Sequence, residues 1–172
     1  MAKTKGKMTE QKFHRYLRKN EIKIGKYKMN IVDNEVSIHR AHSVFTKDLT
    51  LIPVNDEEEC TTEESRLSLK GSFGRIDVVF YYRSKAYCGE IKCTQSQTQF
   101  FDALKVLGYT EYYNWENDTN FKPAIIIPFD KITIEHQIMA GRLKILLIGF
   151  KEGGDGYKLM EVGDTPIWKQ NI

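Results

Sequence analysis

Long apolar runs are missing from this chain of 172 residues. None approaches the eighteen or so residues of a helical membrane span, and no membrane partner is expected. After Met1 to Lys7 comes a charged segment where a secretory signal would need an apolar one, so an intracellular, cytoplasmic location is expected. Cysteine is scarce and odd in number. Cys60, Cys88 and Cys93 cannot all pair, which points to free thiols in a reducing compartment. Cys88 and Cys93 have a poor spacing for zinc or an iron–sulfur cluster without further partners. The remaining composition, 41% hydrophobic and 12% aromatic, is that of a soluble globular protein, and the length suits one core, so residues 1–172 are expected to form a single domain.

Charge is unevenly spread. Residues 1–28 hold ten Lys or Arg against Glu10 and Glu21, whereas residues 29–66 hold nine acids against three bases. A basic amino-terminal arm draws in nucleic acid by releasing phosphate counterions, and Lys12, Arg15 and Lys19 are candidates for that contact. A solvated basic helix is the plainer alternative.

The densest chemical signal lies between residues 74 and 92. Ile76 to Tyr82 and Ala86 to Lys92 are rich in β-branched and aromatic residues, with the polar turn Arg83-Ser84-Lys85 between them, and predict a hairpin. A two-residue loop at Arg83-Ser84 sets Asp77 directly opposite Glu90, their Cβ atoms about 4.5–5.5 Å apart. Period-2 alternation adds Lys92 to the same face and sends Ile76, Val78, Phe80 and Ile91 to the other. Opposed carboxylates repel, and a hard divalent ion removes that cost. Asp77, Glu90 and the Ile91 carbonyl are therefore candidate ligands for Mg²⁺ or Mn²⁺, and Lys92 supplies charge for the nucleophile or the pentacovalent phosphate. A surface ion pair between Glu90 and Lys92 is the competing explanation. Glu-x-Lys alone carries nothing, since Glu10-Gln11-Lys12 and Glu21-Ile22-Lys23 repeat it.

Gly74-Arg75-Ile76-Asp77, twelve further residues and then Glu90-Ile91-Lys92, followed by a helix and an apolar strand, resembles the PD-(D/E)XK nuclease superfamily: restriction-endonuclease-like, Holliday-junction-resolvase-like and RecB-like nucleases. Ile76 stands where the literal motif has proline, and the likeness covers roughly residues 67 to 150. It implies an α/β fold with a restriction-endonuclease-like core, a mixed central sheet flanked by helices in αβββαβ order. It also implies metal ligation by Asp77 and Glu90, catalysis by Lys92, and an upstream acid, for which Glu10 and Glu64 (or its neighbour Glu63) are alternatives. Arg75 and Gln99, with Tyr109, are candidate nucleic-acid contacts.

Around this motif, Thr9 to Asn20 predicts a first helix capped by Thr9. Glu10 then falls in its first turn, which the helix dipole alone would explain. Residues 21–66 are the least legible stretch, with a poorly legible insert at about 29–66: Ile22 to Val32 fits one or two short strands, Glu35 to Phe45 fits an amphipathic helix, Leu49 to Val54 is strand-like, and residues 56–64 make an acidic loop. His39 and His42 have helical spacing but no supporting ligand. Gly71 and Gly74 mark a bend before the hairpin. Gln95 to Trp115 predicts a helix, Pro123 to Pro128 a strand buried on both faces, Ile132 to Leu143 a helix, Lys144 to Gly149 a strand, and Tyr157 to Val162 the return arm of a final edge hairpin. The expected activity is metal-dependent hydrolysis of DNA phosphodiesters by an endonuclease, a homodimer being suited to cutting both strands. A catalytically silent nucleic-acid-binding or complex-assembly subunit is the alternative, and partner binding through the acidic loop a third.

Overall fold

The structure is a computed structural model and describes residues 2–39, 43–45, 51–53, 72–93 and 99–163. Helix α1 (Ala2–Lys19) starts well ahead of Thr9, so Glu10 lies in mid-helix and no acid stands in the first turn. The dipole explanation for Glu10 therefore falls. The helix closes as expected, with the Asn20 side chain donating to the Tyr16 carbonyl at 2.9 Å.

The strands are β1 (Ile22–Ile24), β2 (Tyr27–His39), β3 (Ser43–Phe45), β4 (Leu51–Pro53), β5 (Ser72–Tyr82) and β6 (Lys85–Ile91). Then come α2 (Gln99–Asn117), β7 (Lys122–Pro128), a 3₁₀ turn at Phe129–Lys131, α3 (Ile134–Leu143), β8 (Leu146–Gly153) and β9 (Gly156–Glu161). The helix expected over Glu35 to Phe45 is corrected: β2 continues to His39, antiparallel to β5 from Met29↔Tyr82 to His39↔Ser72. Register shifts near Ile31 and Ile38, and a left-handed φ of 55° at Glu35, break the two-residue alternation that would have announced a strand. His39 is thus on a strand, while His42 and the acidic loop with Glu63 and Glu64 lie outside the described residues.

The hairpin register holds as expected. Pairs run from Tyr82↔Lys85 to Val78↔Gly89, and Arg83 and Ser84 have φ of 49° and 64°, the two positive angles of a type I′ turn. Strands β6, β7 and β8 are parallel neighbours joined by crossovers through α2 and α3. Thr133 caps α3 in a capping box with His136.

The expected fold class is overturned by the way the sheet ends. Strand order is β1-β2-β5-β6-β7-β8-β9 and the sheet closes, β9 lying parallel to β1 at Ile24↔Leu159, with the Gly25 N–H donating to the Leu159 carbonyl at 2.8 Å. The described residues form a closed, mixed seven-stranded barrel with three helices, in place of an open restriction-endonuclease-like α/β sheet, and β8–β9 is no free edge hairpin. Closure buries Ile22, Ile24 and Leu159, apolar groups that an open edge would leave beside unpaired backbone.

Two packing layers position the site. On one side α1 sends Phe13 and Leu17 among Ile24, Val78, Phe80, Ile91, Ile148 and Phe150; the Phe13 and Phe150 rings stack at 4.0 Å. On the other, α2 and α3 cover Ile125, Ile127 and Leu147, and the tyrosines of α2 cover Ile76, Val79 and Cys88. Among the described residues no helix is long and apolar enough to cross a membrane.

Candidate functional site

The site lies where β5 and β6 part. Their ladder ends at Val78↔Gly89, and β6 continues beside β7 with Glu90↔Ile125 and Ile91↔Ile126. At this fork the Asp77 carboxylate accepts the Ile91 N–H at 2.8 Å, taking a donor that the hairpin ladder leaves over. It is this amide of Ile91, rather than its carbonyl, that meets Asp77.

Asp77 and Glu90 are both buried, at 5% and 4% exposure, yet they do not share a face. Ile76 and Val79 both pack toward α2, so the residues between them, Asp77 and Val78, both turn toward α1. The alternation slips by one residue at this point, and with it the expectation that Asp77, Glu90 and Lys92 line up on one side. Asp77 instead meets α1. One ligand atom each from Glu10, His14 and Asp77 lies within 4.8 Å of the others. Glu90 and Lys92 turn toward α2, where Lys105 Nζ donates to Glu90 Oε1 at 2.8 Å; Lys92 Nζ lies 3.4 Å from that oxygen and 3.2 Å from Asp102 Oδ1.

Burial, then the nearby Glu90 charge, pushes the Asp77 pKa up to about 7, with the Ile91 N–H and Arg75 opposing. Arg75 lies at 4.0 Å from Asp77 and 3.4 Å from Glu35, which also pairs with Arg18 of α1 at 3.1 Å. Burial lowers the His14 pKa, so the ring is neutral and able to offer a lone pair. His14 is 5% exposed, and among the described residues neither ring nitrogen has a hydrogen-bond partner; Nε2 is 3.7 Å from Glu10 Oε1. A buried imidazole without partners costs free energy unless a ligand meets it. At Lys92 burial opposes the charge, but Glu90 and Asp102 outweigh it and hold the pKa up. Burial, with Glu10 and Asp77 adding, pushes the neighbouring Cys93 thiol up to about 12, so it stays protonated.

Of the upstream acids, then, Glu10 reaches Asp77. Of the basic residues on α1, Arg15 and Lys19 are exposed, whereas Lys12 is committed to Glu152 of β8. Arg75 is tied to Glu35, and Tyr109 packs beside Ile76 and Cys88. Gln99 opens α2, where the structure describes only its backbone. Sequence reasoning passed over His14, although Glu10 and His14 have the i, i+4 spacing that sets two side chains on one helical face. It also passed over Asp102 and Lys105, spaced i, i+3 near the start of α2. Comparison with protein-family models, with characterised proteins and with solved structures finds no match for this chain.

Proposed function

We propose that the protein is a divalent-metal-dependent nuclease acting on DNA, with its metal held by Glu10, His14 and Asp77. The observation that carries this reading is His14, a neutral buried ring whose two nitrogens find no hydrogen-bond partner among the described residues and which stands beside two carboxylates. Two carboxylates and an imidazole suit Mn²⁺ and accommodate Mg²⁺. Such an ion, when bound, polarises a phosphoryl oxygen and acidifies water. The exposed Arg15 and Lys19 on α1 extend the attraction along a polymer. The Asp77…Glu90-Ile91-Lys92 spacing resembles that of PD-(D/E)XK nucleases, a likeness of motif only, since the closed barrel is not that family's open core.

One observation favours a silent nucleic-acid-binding subunit instead: Glu90 is held by lysines on the face opposite Asp77. An assay on linear, circular, single-stranded and four-way-junction DNA with Mg²⁺, Mn²⁺ or EDTA separates the two. We expect cleavage with Mn²⁺ or Mg²⁺, none in EDTA, and a loss of about 10³-fold or more in Asp77→Ala and His14→Ala, several kcal/mol of transition-state stabilisation. Salt-sensitive DNA retention without any cleavage would favour the silent subunit. Equal cutting by wild type and both variants would refute the proposed site.

A further inference from the structure

The carboxylates at the fork are balanced in two different ways. On the α2 side Glu90 and Asp102 face Lys92 and Lys105, two negative charges against two positive, with contacts of 2.8 to 3.4 Å. On the α1 side Glu10 and Asp77 face a neutral His14, and the guanidinium of Arg75, no nearer than 4.0 Å to Asp77, is shared with Glu35. The first group is electrically closed. Among the described residues the second, with Glu35 and its other partner Arg18 counted, sets three carboxylates against two guanidiniums and is one positive charge short.

Lys105 is also held in place. Its ammonium sits 5.4 Å from the centre of the Tyr109 ring, one turn further along α2. That ring in turn lies against Gly74 of β5: a Cβ at Gly74, whose φ is 153°, would come within 1.7 Å of the Tyr109 oxygen. Only glycine lets the ring approach so closely. The chain of contacts Gly74, Tyr109, Lys105, Glu90 thus fixes a cation on a carboxylate that is 4% exposed.

From this we infer that the site takes a single divalent ion, on the α1 side, and that the ammonium of Lys105 permanently occupies the place on Glu90 where a second ion would bind. The inference rests on the metal-site reading above and deepens it. A dication approaching Glu90 Oε1 would meet Lys105, hydrogen-bonded to that oxygen at 2.8 Å, whereas Lys92 stands further off at 3.4 Å and nearer to Asp102; one approaching Glu10 and Asp77 meets two carboxylates and a lone pair. Glu90 then serves to fix the two lysines, and metal ligation falls to Glu10 and His14 of α1 with Asp77 of β5.

The test counts ions. Chelator-stripped full-length protein is titrated with Mn²⁺, by calorimetry and by electron paramagnetic resonance of free Mn²⁺, and circular dichroism checks the fold of each variant. We expect one ion per chain in wild type and in Lys105→Arg, none in the double variant Glu10→Gln/His14→Ala, and two in Lys105→Ala. Lys105→Met, which keeps the aliphatic packing on Tyr109, should likewise take two. Two ions in wild type, or one in both Lys105→Ala and Lys105→Met, overturns the role given to Lys105. No ion in wild type but one in Lys105→Ala, lost again on adding Glu90→Gln, keeps that role and removes the α1-side metal site. No ion in any of these proteins overturns both.

Discussion

The two sides of the β5–β6 fork bury carboxylates at similar depth and by opposite means. Toward α2, Glu90 is satisfied within the fold by Lys105 and Lys92. Toward α1, Asp77 gains one backbone donor from Ile91 and a 4.0 Å contact with Arg75, while Glu10 adds like charge and the His14 nitrogens find no hydrogen-bond partner among the described residues. A site that stabilises itself has little to gain from a ligand, whereas one left short of positive charge is where a cation binds with most effect. Depth of burial alone does not distinguish structural from functional carboxylates. The partners do.

Neutralising the two acids should therefore change stability in opposite directions. Glu90→Gln strips two ammonium groups of their partner and should lower stability by about 2–3 kcal/mol, less than the roughly 3–5 kcal/mol of a fully buried pair because the lysines are partly solvated. Asp77→Asn removes a charge that its partners compensate only in part and should raise metal-free stability at pH 8 by about 1–3 kcal/mol. Urea denaturation in EDTA measures both, and a shared sign would break the comparison.

The pH dependence sharpens it further. The Asp77 pKa in the fold, about 7, lies above its ordinary 3.8, so the folded state binds the proton more tightly than the unfolded state does. That contribution is fully present below about pH 4 and is lost as pH rises through about 7. Metal-free wild type should thus lose stability between pH 5 and pH 8, a slope that Asp77→Asn flattens and that Glu90→Gln reduces, since Glu90 is the second cause of the shift. Denaturation midpoints at the two pH values test this; a rise from pH 5 to pH 8 in all three proteins would contradict it.

The smallest effect belongs to a change outside both sides. Replacing Arg83-Ser84 with Asn-Gly should stabilise the hairpin by about 0.5–1 kcal/mol, because both positions hold positive φ at a steric cost. It should leave Mn²⁺ stoichiometry unchanged, which a titration beside wild type checks.

The hairpin was legible because its signals are local: β-rich arms, a two-residue turn, and a register that follows from turn length. That register sets Asp77 opposite Glu90 one pair beyond Val78↔Gly89, where the ladder ends. Their faces were not legible, since the slip at Asp77 and Val78 arises where the β5–β6 ladder ends and α1 and α2 pack from opposite sides. Strand β2 was hidden for a related reason: its shifts against β5 scramble the alternation that sequence reasoning relies on. His14 was within reach, four residues after Glu10, but its meaning depends on what surrounds it.

By itself the sequence determined the hairpin with its two-residue loop, the helix of the basic arm, the buried strand at Ala124 to Ile127, and the acid and lysine chemistry brought to the fork. Tertiary structure alone decided that β9 would close on β1, that Glu10 and His14 would meet Asp77, and that Lys105 would reach Glu90. The physical reason is range. Turn geometry and side-chain periodicity act within a few residues, whereas ring closure and the pairing of buried charges join groups many residues apart, where only packing selects the neighbours.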